Sequence, residues 1–254
     1  MRIKILTLFP EMFDGFLTNS IIKRAIAKDV VSISIINIRD YTTDKYGRVD
    51  SAPVGGGAGL IMKCQPIVDC LRKNKGENSK VIMLSPRGQI YKQNKAHLLT
   101  KEEEIILLCG HYEGIDERVN KYVDEQISIG DYILTGGELG AMVISDSIIR
   151  LLDGAIADES IEEESFENGL LEYPQYTEPY DFEGDKIPDI LYSGNHEAIR
   201  KWRQKKSLHL TKELRPDLFN KYQLSKEDIK LLNEDDNPKW EKEAIEKGKK
   251  FIKN

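Results

Sequence analysis

Two glycine-bearing turns hold the residue types best suited to a small-ligand site. The first, Cys109-Gly110-His111-Tyr112-Glu113-Gly114, ends the apolar run Ile105–Cys109. The second, Ile129-Gly130-Asp131-Tyr132-Ile133-Leu134-Thr135-Gly136-Gly137, follows the short apolar strand candidate Gln126–Ile129. A further turn, Leu84-Ser85-Pro86-Arg87-Gly88, closes the strand candidate Val81–Leu84. In an α/β sheet, ligands bind beyond the carboxyl ends of the strands. Glycine there lets a ligand approach the backbone N–H and C=O groups. One such turn is an ordinary connection. Three at three strand ends imply a shared crevice.

The densest glycine cluster, Gly55-Gly56-Gly57-Ala58-Gly59, lacks the Gly-Lys-Ser/Thr ending of a phosphate loop and fits no GxGxxG register. It reads either as a flexible connection or as a loop that touches phosphate or RNA. A nucleotide hydrolase built on it would lack the phosphate-binding lysine and the metal carboxylates. Other polar chemistry is offered by the acidic run Glu162-Glu163-Glu164, by Arg150 at the end of an apolar stretch, and by the basic segment Arg200–Arg215. The three cysteines are odd in number and irregularly spaced, which points to free thiols in a reducing, cytoplasmic setting. The histidines and cysteines fall at no metal-ligand spacing, so no metal site is expected. The net charge of −6 opposes nucleic-acid binding when taken whole. The concentrated cations of Arg200–Arg215 favour it locally.

These groups need a scaffold, and its pattern is clear. Strand candidates Ile3–Leu8, Val31–Ile38, Val81–Leu84 and Ile105–Cys109 alternate with helix candidates Ser20–Lys28, Gln65–Lys75, Lys92–Lys101 and Asp116–Val123. Near-continuous apolar strands alternating with helices define an α/β domain with a mostly parallel sheet. Glu138–Leu152 reads as a buried helix. Asp153–Asp189 is acidic and rich in glycine and proline, so it reads as linker and loop. A helix opens at Asn195 or His196, and Ser225–Asn233 and Pro238–Ile252 are helical. Trp202 reads as a core residue of this helical part in preference to a base-stacking one. The expected domains are 1–157, an acidic linker 158–172, and a small helical domain 173–254. No apolar run reaches the roughly 18 residues of a membrane span. Met1–Pro10 reads as a strand and not as a signal peptide.

Taken together, Thr7-Leu8-Phe9-Pro10-Glu11-Met12-Phe13, Gly55-Gly56-Gly57, Leu84-Ser85-Pro86, Leu108–Arg118, Ser128–Tyr132, Leu134–Leu139 and Trp202-Arg203 resemble the bacterial tRNA (guanine-N1)-methyltransferases of the SPOUT superfamily. The resemblance implies an α/β domain ending in a deep trefoil knot, a rare exception to the rule against threaded chains. It implies transfer of the methyl group of S-adenosylmethionine to N1 of the guanine just 3′ of the anticodon, tRNA position 37. It also implies a homodimer whose active sites are shared between subunits, with a reported response to magnesium. Carried over by position, the cofactor residues are Leu84, Ser85, Pro86, Gly110, Tyr112, Glu113, Ile129, Gly130, Asp131, Tyr132, Ile133, Leu134, Gly136 and Gly137. The general base matches Glu164, where the family has Asp, and the charge-stabilising arginine matches Arg150. Asp50, Gly55, Gly57, Phe166, Arg200, Lys201, Arg203 and Arg215 match RNA-facing positions. Val54, Ala58, Gly140, Asn195 and Leu214 depart from the family pattern. The longer Glu164 side chain offsets a loop that is one residue short. A non-enzymatic RNA-binding protein that keeps the cofactor pocket is the alternative reading.

Overall fold

The computed structural model describes residues 1–156, 163–236 and 238–248. They fall into two compact units, Met1–Asp158 and Glu159–Asn254.

The first unit is built on a five-stranded sheet. In chain order its elements begin with β1 (Arg2–Thr7), α1 (Asp14–Thr18), α2 (Ser20–Ala27) and β2 (Ser32–Asn37). A two-residue antiparallel ladder follows, β3 (Asp50–Ser51) with β4 (Ile61–Met62), flanking the Gly55–Gly59 loop. Then come α3 (Cys64–Asn74), β5 (Ser79–Ile90), α4 (Gln93–Leu99), β6 (Glu104–Leu108), β7 (Glu125–Ser128) and α5 (Glu138–Ile149). The sheet order is β2-β1-β6-β5-β7, and every pairing is parallel. The strand period of two divides the sheet's apolar residues between two cores. Ile3, Ile5, Ile105, Leu107 and Ile82 face Ile22 and Ala25 of α2 and Ala141, Ile144 and Ile148 of α5. Leu6, Ile106, Leu108, Val81 and Met83 face Ile67, Val68 and Leu71 of α3. Both faces are covered, which is why the strands read as continuous apolar runs.

Two expected elements of this unit change form. The strand expected to stop at Leu84 continues to Ile90, and its register with β7 shifts between Leu84 and Gln89. Ser85–Gly88 therefore bulge out of a continuing ladder. The helix expected over Asp116–Val123 is a 3-10 helix, Glu117–Tyr122. Asp116 accepts from the Arg118 N–H at 3.0 Å, which tightens the first turn.

A charged lock closes the start of the sheet. Glu104 is buried and accepts from Arg2 Nε at 2.9 Å, from Lys4 Nζ at 3.1 Å and from the Ser79 hydroxyl. Burial alone would raise its pKa. The three hydrogen bonds outweigh burial and hold it at about 2.

The second unit holds α6 (His196–Leu214), α7 (Pro216–Phe219), α8 (Lys226–Asn233) and α9 (Lys239–Gly248). Asn195 caps α6 by accepting from the Ala198 N–H, and Ser225 with Asp228 forms a capping box on α8. Residues 249–252 of the last expected helix lie outside the described residues. Trp202 is buried among Ile190, Ala198 and Ala244. Of the expected linker 158–172, residues 158–162 lie outside the described residues. The rest is packed: Leu170 is 1% exposed against Leu208 and Leu231, and the Leu171 N–H donates to Thr211 Oγ1 at 2.8 Å. The loop region also contains a two-residue hairpin, Asp181–Phe182 with Asp185–Lys186, and a 3-10 helix, Asp189–Tyr192.

Candidate active site

The bulge of β5 and the carboxyl ends of β6 and β7 open on a cleft of about 590 Å³. A volume of several hundred cubic ångströms suits a nucleoside-sized molecule. Leu84, Ser85 and Pro86 line one wall from the β5 bulge; Gly110, Tyr112 and Glu113 line a second; Ile129, Gly130, Tyr132, Ile133, Leu134, Gly136 and Gly137 line the third. The three turns expected to share a crevice do share one. Asp131 is exposed and does not line it.

Backbone contacts bind the two glycine turns together. The Gly137 N–H donates to the Gly110 carbonyl at 2.8 Å, and His111 bridges Gly136. The approach is close: a Cβ on Gly137 would lie 2.8 Å from Cys109 Cα and 3.0 Å from Gly110 N. Only glycine permits this packing. Tyr112 sits in the left-handed region at φ 58°. Partial burial, then the adjacent Asp50 carboxylate, raise the Tyr112 hydroxyl above the usual tyrosine pKa, while neighbouring Arg39 opposes them.

Beneath the turns lies polar machinery that sequence reasoning missed. Glu138, the first residue of α5, is 2% exposed and accepts from the Thr7 hydroxyl at 2.7 Å. Thr7 Oγ1 in turn accepts from the Phe9 N–H at 2.9 Å. The His111 ring rests against Phe9 and Tyr112 at centroid distances of 4.6 and 4.9 Å. Its Nδ1 is buried with no hydrogen-bond partner among the described residues. Burial, then the Glu138 charge, push the Cys109 thiol well above its ordinary pKa, so Cys109 is a packing residue and not a nucleophile. The signal for Thr7 and Glu138 was present, since both lie within recognised motifs, but their pairing across the chain is a tertiary fact.

The remaining expected residues lie elsewhere. Arg150 is half-buried at the C-cap of α5 in the first unit and does not line the cleft. Glu164 is half-buried in the second unit, its carbonyl accepting from the Glu167 N–H at 3.3 Å. Phe166 is 46% exposed with φ 77°. Asp50 lies on β3, and Gly55 and Gly57 are exposed on the loop that follows it.

The cations expected to meet phosphate are engaged within the chain. Lys201 pairs with Glu197 at 2.8 Å and Arg200 with Glu227 at 3.5 Å. Arg215 makes two bonds of 2.8 Å to Asp217, and its guanidinium lies 5.9 Å from the Phe166 ring centroid. Arg203 bonds Glu163 at 3.2 Å and stacks 4.6 Å from the Tyr173 ring centroid. Exposed pairs of this kind contribute about 0–1 kcal/mol, so an incoming phosphate can displace the carboxylate. Lys205, counted among the basic residues of α6, is 5% exposed and donates to the Asp235 carbonyl. Among the described residues no group of three or more His, Cys, Asp or Glu side chains is placed to hold a metal ion. No helix among them is long and apolar enough to cross a membrane.

A family model described as tRNA (guanine-1)-methyltransferase TrmD matches residues 1–221. The chain belongs to that family. Relatives named tRNA (guanine-N(1)-)-methyltransferase agree along nearly their whole length. One from Clostridium botulinum strain 657 is 58% identical over 236 residues, covering 92% of this chain and 98% of that relative. One from Clostridium beijerinckii is 57% identical over 239 residues, covering 93% and 100%. One from Clostridium perfringens strain SM101 is 56% identical over 234 residues, covering 91% and 99%.

Proposed function

We propose that this protein is a cytoplasmic S-adenosylmethionine-dependent tRNA methyltransferase that modifies N1 of the guanine just 3′ of the anticodon. The observation that carries the reading is the convergence of the three turns on one cleft, in a chain whose family membership extends through residue 221. The cleft fits the cofactor. Main-chain N–H and C=O groups of the turns around Gly110 and Gly130 offer hydrogen bonds to an adenine edge, and Leu84, Ile129 and Leu134 supply apolar contact. The Gly137 N–H bond to the Gly110 carbonyl holds the two turns together, and the family resemblance implies a knotted chain around them. When bound, the cofactor supplies an electrophilic methyl group on a sulfonium, which leaves as a neutral thioether.

Guanine N1 carries a proton at neutral pH, so the chain's own task is to remove it. Glu164 takes this proton as general base. Arg150 steadies the negative charge that develops on the neighbouring guanine O6. The two residues come from different units, and a homodimer with shared sites is the assembly in which the family joins them. Asp50, Gly55, Gly57 and Phe166 face the RNA near the target base. Arg200, Lys201, Arg203 and Arg215 hold phosphates, which position the tRNA without reading its sequence. Magnesium dependence belongs to the family expectation, with no ligand set assigned to it here.

The test is transfer of labelled methyl from S-adenosylmethionine to unmodified tRNA, followed by primer extension. Methylated N1 blocks base pairing, so a stop at the guanine 3′ of the anticodon is expected with wild-type protein. Cofactor binding without any methyl transfer would favour the RNA-binding alternative.

A further inference from the structure

The surface of the first unit carries an aromatic side chain whose display the fold explains and whose purpose the cleft does not. Tyr46 lies between β2 and β3 and is 69% exposed. Two cations flank its ring: Lys45 Nζ lies 4.7 Å from the centroid and Arg48 Cζ 5.3 Å. Neither cation forms an ion pair with a carboxylate among the described residues.

The turn that presents Tyr46 is held from several sides. Asp44 Oδ1 accepts from the N–H groups of Tyr46 and Arg48 at 2.9 and 3.3 Å, and the Asp44 carbonyl accepts from the Gly47 N–H at 3.0 Å. The Tyr46 and then the Arg48 N–H bonds, with the Lys63 and Arg48 charges, keep the Asp44 carboxyl below its ordinary pKa. Gly47 takes φ 71°, and its carbonyl accepts from the Arg39 guanidinium at 2.9 Å. The Thr42 hydroxyl donates to the Arg48 carbonyl at 2.9 Å. The same Arg39 lies beside the Tyr112 hydroxyl together with Asp50, and Tyr112 lines the cofactor cleft. The turn is therefore rigid, cationic and joined through one arginine to the wall of the active site.

A preorganised aromatic face with free cations beside it is the chemistry that holds an unpaired nucleotide. The base stacks on the ring and the cations take the adjoining phosphates. An exposed cation–π contact is weaker than a base stack, so a base can displace a cation from the ring, and the displaced cation moves to phosphate. We infer that Tyr46, with Lys45 and Arg48, is a stacking platform for an unpaired anticodon-loop nucleotide of the substrate RNA. This inference rests on the tRNA methyltransferase reading of the cleft.

The experiment uses the full chain, unmodified tRNA and labelled S-adenosylmethionine. Tyr46→Ala is expected to raise the KM for tRNA about tenfold, while kcat changes by less than about twofold. Tyr46→Phe keeps the ring and is expected to stay within about twofold of wild type on both. Affinity for S-adenosylmethionine, measured by calorimetry, is expected to be unchanged in both. Lys45→Ala with Arg48→Ala is expected to flatten the dependence of log affinity for an anticodon stem-loop RNA on log salt by roughly one to two. An unchanged KM in Tyr46→Ala overturns the inference and leaves Tyr46 to another partner, such as a protein. An equal loss in Phe and Ala also overturns it, because the hydroxyl and not the ring would then be at work. A wild-type protein that transfers no methyl to tRNA fails the underlying reading instead, an outcome separate from either of these.

Discussion

The main-chain N–H of Gly137 donates to the carbonyl of Gly110 at 2.8 Å, although the two residues belong to different turns. This bond sets one wall of the cleft against another, and the missing side chain of Gly137 makes it possible. A methyl group there would meet Cys109 Cα at 2.8 Å, a backbone atom that cannot swing aside. Gly137→Ala is expected to destabilise the first unit by about 1–3 kcal/mol, as overpacking does. It is also expected to weaken S-adenosylmethionine binding at least about tenfold. Thermal unfolding and calorimetry measure the two effects. Wild-type cofactor affinity in this variant would show that the turns need not meet so closely.

Glu164→Gln keeps the size of the side chain and removes the base. Turnover is expected to fall by about 10²–10⁴-fold, the usual contribution of a positioned base. Cofactor affinity is expected to stay at the wild-type value. Glu164→Asp tests the compensation between side-chain length and loop length, and a partial loss is expected. Primer extension on tRNA reports all three proteins, and unchanged turnover in Glu164→Gln would remove Glu164 from the mechanism.

The Glu104 lock predicts how the first unit responds to acid. Its carboxyl has a pKa of about 2 when folded, against an ordinary 4.5. A depressed carboxylate contributes stability above its unfolded pKa and loses it as the pH falls toward the folded value. Stability is therefore expected to decline between about pH 4.5 and pH 2. Glu104→Gln is expected to be less stable at neutral pH by about 1–3 kcal/mol, with a flatter decline over that window. Circular dichroism of both proteins against pH checks this.

The capping box on α8 offers a separate handle on the helical unit. Ser225 Oγ accepts from the Asp228 N–H at 3.1 Å, and Asp228 Oδ2 accepts from the Ser225 N–H at 2.9 Å. Ser225→Ala is expected to cost about 1 kcal/mol. Amide hydrogen exchange is expected to show faster opening in α8 while the sheet strands keep wild-type protection.

Much of this protein could be read from its residues in order. The strands were legible because both sheet faces are covered, so β1, β5 and β6 each contain near-continuous apolar runs. Two helices, α6 and α8, were legible from their caps, Asn195 and Ser225. The short elements were not. β3 and β4 have two residues each and exist because they pair, Asp50 with Met62 and Ser51 with Ile61, and no local pattern announces such a partner. The pattern over Asp116–Val123 suits a full helix, and the 3-10 form of Glu117–Tyr122 goes with the Asp116 side chain that accepts from the Arg118 N–H.

By itself the sequence determined the chemical vocabulary of this protein: glycine turns after apolar strands, a carboxylate beside Ser165-Phe166, and a basic helix. Those features are local, so residue type and spacing suffice to state them. The tertiary structure alone decided which of these features meet. It continued β5 through a bulge so that Ser85 and Pro86 line the same cleft as Gly110, left Asp131 off that cleft, and buried Lys205 with its ammonium on the Asp235 carbonyl. It also placed Glu138 under Thr7 and matched Arg203 with Glu163. These contacts join residues distant in the chain, and they follow from packing inside each unit and not from the period of any one segment.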